Sequence, residues 1–279
     1  MLAAGLYIVA TPIGNLEDIS PRALRVLTEA DLILAEDTRH SGKLLQHFGI
    51  HTAVQALHDH NEARLLPRLL QRLHSDQALA LISDAGTPLI NDPGYQLVAA
   101  AQAQGSRVIP VPGPSAVICA LSVSGLPTDR FVYEGFLPSK HAARKKRLVE
   151  LATEPRTLVF YEVPHRIAEC LEDLIECFGP DRMATLAKEL TKHYETVRKD
   201  TLTGLLAWLK EDDARRNGEF VLVIQGAAGM TSDEAESVRV LMTLLPVLSV
   251  REAAAVAAEI LKANKNRLYK LALDIKRQQ

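Results

Sequence analysis

The chain has 279 residues, 47% hydrophobic and 24% charged, a composition typical of globular proteins and unlike disordered or fibrous ones. Its 32 Lys and Arg against 34 Asp and Glu leave a net charge of −2, so any nucleic-acid footprint must be local. Three cysteines without a CxxC pair exclude a disulfide framework and the common structural zinc sites, and they indicate a reducing compartment.

The first part of the chain alternates short apolar runs with helical patterns. We predict strands at residues 6–10, 31–35, 79–83 and 107–111. One helix should begin after Ser20 as N-cap, with Pro21 at its first position, and another should begin at Asp92 and Pro93 and end at Gly105. Strands that alternate with helices favour a mostly parallel sheet with helices on its faces.

A cluster of prolines around Gly113 predicts a domain boundary. Beyond it we predict strands at residues 157–162, 183–188 and 219–225, with helices around 165–178 and 202–209. Residues 226–232 are typical of a linker. The sequence therefore predicts an α/β protein with two α/β domains, residues 1–113 and 114–228, followed by a helical region at 232–279.

The C-terminal region has a different pattern. Ser249 and Glu252 have the spacing of a capping box, and apolar residues then follow at helical intervals. A second helix follows a turn at residues 263–264, which together predict a helix-turn-helix shape. Residues 262–277 carry six Lys or Arg against one acid.

Three loops rich in Pro and Gly follow predicted strands, at residues 11–16, 83–90 and 111–116. The familiar nucleotide and hydrolase motifs GxxxxGK[ST], GxGxxG, GxSxG and HExxH are absent from the sequence. Parallel sheets bind ligands beyond the carboxyl ends of their strands. Because prolines remove amide donors, these loops suit a ligand with cationic character better than a polyphosphate. A simple turn remains the alternative for any one loop.

Several strings resemble the tetrapyrrole methylase superfamily. They are TPIGNL (11–16), AEDTRHS (35–41), ALHDHNE (56–62), SDAGTPLINDPG (83–94) and VPGPSA (111–116). Two more, DRFVYEGFLP (129–138) and KELTK (188–192), narrow the resemblance to the bacterial branch that methylates a cytidine ribose 2′-hydroxyl in 16S ribosomal RNA. The resemblance covers nearly the whole chain. It implies an S-adenosylmethionine cleft between two α/β domains, and a homodimer.

The resemblance also implies which residues contact the methyl donor. Carried over one by one, they are Pro12, Ile13, Asp84, Gly86, Thr87, Ile90, Ser115, Ala116, Tyr161 and Leu190. Many family members have Gly-Asp-Pro where this chain has Gly86-Thr87-Pro88, and the acid here is Asp84 instead. Whether Asp84 or Thr87 makes the polar contact is therefore open.

Methylation of a ribose hydroxyl needs a group that eases loss of the proton. Asp37 is the candidate base and Lys188 the candidate stabiliser of the developing oxyanion, with a structural salt bridge as the alternative for each. The string His58-Asp59-His60 contains possible metal ligands. Since no second His or Cys cluster lies nearby, no metal is predicted, and substrate contact or a structural hydrogen bond is favoured.

Residues 140–147 hold five Lys or Arg and no acid. Such a run can be a solvated helix face, but with an RNA substrate it would contact phosphates. The predicted RNA-binding residues are Arg39, Arg144, Lys145, Lys146, Arg147, Lys265 and Arg267. The expected partner is 16S rRNA or the assembled 30S subunit.

Two other functions stay open at this point. One is methylation of a small tetrapyrrole-like acceptor, which would not require the basic surfaces. The other is a nucleic-acid-binding regulator that uses the C-terminal helices and transfers no methyl group. With no apolar run of membrane-spanning length and no visible signal peptide, we expect a cytoplasmic protein that does not associate with membranes.

Overall fold

The structure is a computed structural model. It describes residues 2–227 and 232–277, apart from the side chains of residues 232–235, 274 and 277. The chain forms two compact units, residues 1–226 and 227–279. Residues 228–231 of the predicted linker lie outside the described residues. None of the described helices is long and apolar enough to cross a membrane.

Five parallel strands form the first sheet, in the order β3-β2-β4-β1-β5. They are β1 (Gly5–Val9), β2 (Leu32–Ala35), β3 (Val54–Ala56), β4 (Ala78–Ile82) and β5 (Val108–Val111). The four predicted strands and the parallel arrangement are confirmed, with ends shifted by at most one residue. β3 was not predicted because an edge strand of three half-buried residues has no apolar run.

Five α-helices lie in the chain up to residue 123, together with a short 3₁₀ helix at Leu16–Asp18. The α-helices are α1 (Pro21–Glu29), α2 (Thr38–His47), α3 (Glu62–His74), α4 (Tyr95–Ala103) and α5 (Ala116–Val123). The predicted start of α1 is confirmed, since the Ser20 hydroxyl accepts a hydrogen bond of 3.0 Å from the Ala23 amide.

The start of α4 differs from the prediction. The helix begins after Gly94, not at Asp92, and ends at Ala103. Its free amides at Gly94 and Leu97 donate to the carboxylate of Glu62 at 3.3 and 2.8 Å. Because a side chain from α3 caps this helix, Asp92 has no capping role and lies in the loop before it.

The second sheet is mixed, in the order β6-β7-β10-β8-β9, with β6 and β7 parallel and the other pairs antiparallel. Its strands are β6 (Phe131–Phe136), β7 (Thr157–Glu162), β8 (Met183–Lys188), β9 (Thr196–Thr201) and β10 (Phe220–Ile224), and its helices are α6 (His141–Leu151), α7 (Ile167–Phe178) and α8 (Leu202–Lys210). The strands β7 and β8 have their predicted bounds. The edge strands β6 and β9 were not predicted, because their polar or exposed residues interrupt the apolar pattern.

Helix α5 follows the first sheet in sequence but packs on the second. Its buried Val117 and Leu121 join a core cluster with Val159 of β7 and Val223 of β10. The opposite face of the second sheet packs against α6, α7 and α8. The predicted domain boundary at residue 113 immediately precedes α5 and stays a prediction.

The described residues of the C-terminal unit form three helices, α9 (Ser232–Leu244), α10 (Val250–Leu261) and α11 (Lys265–Arg277). The predicted capping box is confirmed, with Ser249 and Glu252 bonded reciprocally at the start of α10. Buried Ala253 and Ala257 of α10 share a core cluster with Leu268 of α11. The two predicted helices joined by a short turn are thus present, and α9 lies in the predicted helical region 232–279, although no separate helix was predicted there.

Candidate active site

The three predicted loops meet at the carboxyl edge of the first sheet. Thr11 and Gly86 exchange both backbone hydrogen bonds, at 2.8 and 3.0 Å. The Thr87 hydroxyl donates to the carbonyl of Pro114 at 3.0 Å. Gly86 has φ +83°, and a Cβ there would lie 3.3 Å from the side chain of Ile13, so this junction favours glycine.

A cleft of about 350 Å³ opens beside this junction, within the size range of small-molecule sites. The loops of the first sheet, the N-terminus of α5 and the strand ends of the second sheet form its walls. The predicted cofactor residues that line it are Ile13, Asp84, Gly86, Thr87, Ile90, Ser115, Ala116, Tyr161 and Leu190. Pro12 does not line the cleft, whereas both Asp84 and Thr87 do.

The charged side chains that line the cleft are all acidic. Among the residues described around the cleft there is no Lys, Arg or His, and four carboxylates line it, from Asp84, Asp92, Glu162 and Glu219. Most of the remaining lining is apolar. A polyphosphate would meet negative potential without a basic side chain, whereas a ligand with a sulfonium and an ammonium group fits. The charge and polarity of the lining residues therefore agree with the methyl donor that the resemblance implies.

Two of the four carboxylates are held by cations. Glu162 is buried and accepts from the Arg166 guanidinium at 3.3 Å. Glu219 accepts from the Lys192 ammonium at 3.1 Å. These two acids have structural partners, which leaves Asp84 and Asp92 as the acids on the wall formed by the first sheet.

Asp92 has a perturbed ionisation. Burial, followed by the nearby carboxylates of Glu36 and Asp84, raises the pKa of Asp92 to about 6, although the Ser83 hydroxyl opposes the shift. Burial also raises the pKa of Glu36, with Asp84 and Asp59 as the next causes. Perturbed carboxyl groups in a cleft are candidates for proton transfer. Sequence reasoning missed Asp92, because the proline that follows it predicts a helix start there.

The backbone that carries Asp92 into the cleft is unusual. Leu89 and Asn91 have φ values of +72° and +73°, a region that costs non-glycine residues free energy. Asn91 is held there, because its side-chain oxygen accepts from the Tyr133 hydroxyl at 2.7 Å. Gly135, at a register shift of β6, leaves space for the Asn91 side chain, since a Cβ there would lie 2.9 Å from it.

The segment around Leu190 is also tightly held. Glu189 and Thr191, on either side of it, have φ values of +51° and +66°. The Glu189 carboxylate accepts from the Lys192 ammonium at 2.9 Å and from the Glu219 amide at 2.9 Å. These bonds fix Leu190 at the end of β8, where it lines the cleft.

Neither predicted catalytic residue lies in the cleft lining, so the structure gives no support to either assignment, and both stay predictions. Asp37 is the N-cap of α2 and accepts from the Arg39 amide at 2.8 Å. That hydrogen bond, with the Arg39 side chain, lowers the pKa of Asp37 and makes it a poorer base. Lys188 is 8% exposed, donates to the Ala214 carbonyl at 3.0 Å and lines a separate surface groove.

The predicted basic run on α6 is mostly paired. Arg144 is only 1% exposed and its Nε lies 2.5 Å from the Asp173 carboxylate. The interior position of Arg144 contradicts its assignment as an RNA-binding residue. Lys145 pairs with Glu176, and Arg147 with Glu134 and Glu150. Lys146 is exposed. The sequence could not show this pairing because the carboxylates come from other elements.

The remaining predicted cations are on the surface. The Arg39 side chain is 91% exposed beside Asp37, and Lys265 and Arg267 are exposed at the start of α11. Their contact with RNA stays a prediction.

His58 makes a structural hydrogen bond before α3. Its ring Nε2 lies 3.0 Å from the side-chain Nδ2 of Asn61, and its backbone amide donates to the side-chain oxygen of Asn61 at 3.0 Å. In the described part of the chain, no group of three or more His, Cys, Asp or Glu is placed to hold a metal ion.

Comparison with known proteins gives matches over nearly the whole chain. The tetrapyrrole (corrin/porphyrin) methylase model matches residues 5–206, and the RsmI C-terminal HTH domain model matches residues 231–276. The chain is 54% identical to ribosomal RNA small subunit methyltransferase I of Escherichia coli O157:H7, covering 96% of this chain and 94% of that protein. It is also 54% identical to the protein of that name from Pseudomonas aeruginosa, covering 98% of each.

Solved structures with the same fold include more distant methyltransferases. Diphthine synthase is 18% identical, with a TM-score of 0.59, and the match covers 79% of this chain and 89% of that one. The methyltransferase CobJ is 18% identical, also with a TM-score of 0.59, and the match covers 81% of this chain and 95% of that one. At this identity the similarity concerns the fold alone.

Proposed function

The chain belongs to the tetrapyrrole methylase family, and we propose that it transfers a methyl group from S-adenosylmethionine to the ribose 2′-hydroxyl of a cytidine in 16S ribosomal RNA. The observation that carries this proposal is the 54% identity, over 98% of both chains, to a relative named ribosomal RNA small subunit methyltransferase I. The cleft supports it independently, because two of its carboxylates, those of Asp84 and Asp92, have no cationic partner among the described residues and suit a cationic methyl donor.

Each wall of the cleft contributes a distinct property. When bound, S-adenosylmethionine supplies a methyl group on a positively charged sulfur. Ile13, Ala116 and Leu190 provide apolar surface that excludes water from the cleft, and Asp84 provides negative charge on the wall formed by the first sheet. Excluding water strengthens the electrostatic interactions of a bound cation and protects the methyl donor from side reactions.

The acceptor is RNA rather than a small tetrapyrrole. The relatives at 54% identity are named for ribosomal RNA, whereas the solved structures named for corrin and porphyrin enzymes are 16 to 22% identical. The C-terminal model match at residues 231–276 accompanies the methylase match in the same chain. A regulator without methyl transfer would not require the methylase cleft.

We also propose that the protein acts as a cytoplasmic homodimer on the assembled 30S subunit or its RNA. Two apolar side chains of α5, Ile118 and Val123, are 55% and 51% exposed, a surface that a second copy could cover. Sedimentation of the purified protein tests this point, and a single monomeric species would contradict it.

The function is tested by calorimetric titration with S-adenosylmethionine, followed by tritiated-methyl transfer to 30S subunits that lack the modification. We expect binding and incorporation of label into 16S rRNA, with protein-free 16S rRNA as the second substrate. Binding without incorporation into either substrate would favour a small acceptor. Absence of binding would contradict the methyltransferase function itself.

A further inference from the structure

Asp92 differs from the other carboxylates of the cleft in its partners. Glu162 and Glu219 have cationic partners, and Asp84 accepts a hydrogen bond of 3.2 Å from the Asp37 amide. No cationic side chain of the described residues pairs with Asp92, which faces the Ser83 hydroxyl and two other acids. A carboxylate that lines a cleft without a cation keeps its oxygens available to a substrate donor.

The fold places this carboxylate at a cost in backbone conformation. The left-handed residues Leu89 and Asn91 turn the chain so that Asp92 lines the cleft. Two residues of the second sheet accommodate that turn. The Tyr133 hydroxyl donates a hydrogen bond to the Asn91 side chain, and Gly135 leaves room for that side chain because it has no Cβ. Residues kept in such conformations by their surroundings cluster at functional sites. The capping of α4 by Glu62 also leaves Asp92 without a structural task.

We propose that Asp92 accepts the proton of the ribose 2′-hydroxyl during methyl transfer, a role that rests on the function proposed above. The O–H bond breaks and the proton moves to the Asp92 carboxylate, while a lone pair of the oxygen forms the new bond to the methyl carbon. The carbon–sulfur bond breaks and its electron pair stays on sulfur, which becomes neutral. Asp92 then releases the proton to water, so atoms and charge balance.

The surroundings of Asp92 determine the pH dependence. The titratable groups that face it are Glu36 after β2, Asp84 after β4, and the phenols of Tyr133 and Tyr161 on the second sheet. Glu36 in turn faces Asp59, Asp37 and His58. A proton acceptor must be ionised, so the rate of methyl transfer should rise with pH as Asp92 ionises and then reach a plateau. Without ligand the pKa of Asp92 is about 6, and the positive charge of bound S-adenosylmethionine should move the acid limb to lower pH.

The experiment compares wild type, Asp92→Asn, Asp92→Glu and Asp129→Asn, an exposed acid outside the cleft lining. Single-turnover methyl transfer to undermodified 30S subunits is measured from pH 5 to 9 at saturating S-adenosylmethionine. We expect Asp92→Asn to lower the rate by about 10²–10⁴-fold and to lose the acid limb of the profile. Asp92→Glu should be slower than wild type but keep that limb, and Asp129→Asn should match wild type.

The Tm of Asp92→Asn distinguishes this role from a purely structural one. Loss of a structural residue would lower Tm, whereas removal of an unpaired buried charge should raise it. The folded-state pKa of Asp92 lies above its ordinary value, so its charge opposes folding above about pH 6. Asp92→Asn should therefore raise Tm by about 2–4 °C at pH 8, and this difference should vanish near pH 4.

Any one of the following results would overturn the proposal. They are a saturated Asp92→Asn rate within about tenfold of wild type, an unchanged acid limb, or a lower Tm at pH 8. A defect seen only in cofactor affinity, with the saturated rate intact, would also overturn it and leave Asp92 a binding residue. If wild type transfers no methyl to the 30S subunit, the function proposed above fails instead, so the two failures are distinguishable.

Discussion

The cleft and helix α6 both concentrate charge of one sign, but the fold gives the charges different partners. On α6, Arg144 pairs with Asp173 and Arg147 with Glu134, both from other elements. In the cleft, Asp84 and Asp92 share their surroundings with further acids and have no cationic partner among the described residues. Charge that is already paired stabilises the fold, whereas unpaired charge in a concave site is available to a ligand. Pairing, rather than charge density, therefore distinguishes the site from the scaffold.

The largest effect is expected on the paired side of this comparison. Arg144→Ala leaves the buried Asp173 carboxylate without its guanidinium, and we expect a loss of about 3–5 kcal/mol in the free energy of unfolding. Lys146→Ala, on the exposed face of the same helix, should change it by less than about 0.5 kcal/mol. Urea denaturation followed by circular dichroism measures both, and equal stabilities would show that Arg144 is not a structural residue.

The next effect tests the cleft. Ala116→Phe places a ring among the lining residues at the N-terminus of α5, so we expect the Kd for S-adenosylmethionine to rise by about 100-fold, equivalent to about 2.7 kcal/mol. The same substitution at Ser122, exposed on the same helix, is the control and should leave the Kd unchanged. Calorimetry measures both values, and an unchanged affinity in Ala116→Phe would place the cofactor elsewhere.

A smaller effect is expected from the cations of α6 that stay exposed. Lys140 is the N-cap residue of α6, and Lys146 lies on the exposed face of the helix. The double change to Glu should raise the KM for 30S subunits several-fold and reduce the slope of its salt dependence by about one for each phosphate that the variant no longer binds. Cofactor affinity should not change. An unaltered KM across the salt range would mean that α6 is a solvated face outside the RNA footprint.

The smallest effect is expected at Asp37, the acid that the sequence favoured as the base. Asn is also a good N-cap, so Asp37→Asn should preserve α2. The pKa of Asp37 is lowered by its hydrogen bonds to Arg39, and it stays ionised throughout the pH range of the assay. We expect a single-turnover rate within about threefold of wild type and the same acid limb. Loss of that limb in Asp37→Asn would transfer the proton-acceptor role to Asp37.

Much of the cleft could be predicted because its framework is local in sequence. Strand ends are marked by apolar runs followed by Pro and Gly, and parallel strands bring their carboxyl ends to one edge. The loops that contain Thr11 and Gly86 therefore had to be near each other, and in the structure they share two hydrogen bonds. The family resemblance added positions from the second sheet, such as Tyr161 and Leu190, which no local pattern indicated.

The errors have a common physical cause. Asp92 precedes a proline and a helix, so a cap was the local expectation, yet Glu62 supplies that cap from 32 residues away. Arg144 lies in a run of cations, so exposure was expected, yet its guanidinium is buried and bonded to the carboxylate of Asp173, 29 residues away in sequence. In both cases a side chain from a distant element decided the outcome.

The amino-acid sequence by itself determined the α/β class, the parallel first sheet, the loops of the cleft, and the capping box of α10 with the helix that follows it. Each of these follows from apolar periodicity, turn chemistry or capping within a few residues. Only the tertiary structure decided which charges are paired and which acids of the cleft, Asp84 and Asp92, have no cationic partner among the described residues. Ionisation and hydrogen bonding depend on distances of a few ångströms between groups far apart in sequence, and those distances exist only once the sheets have packed.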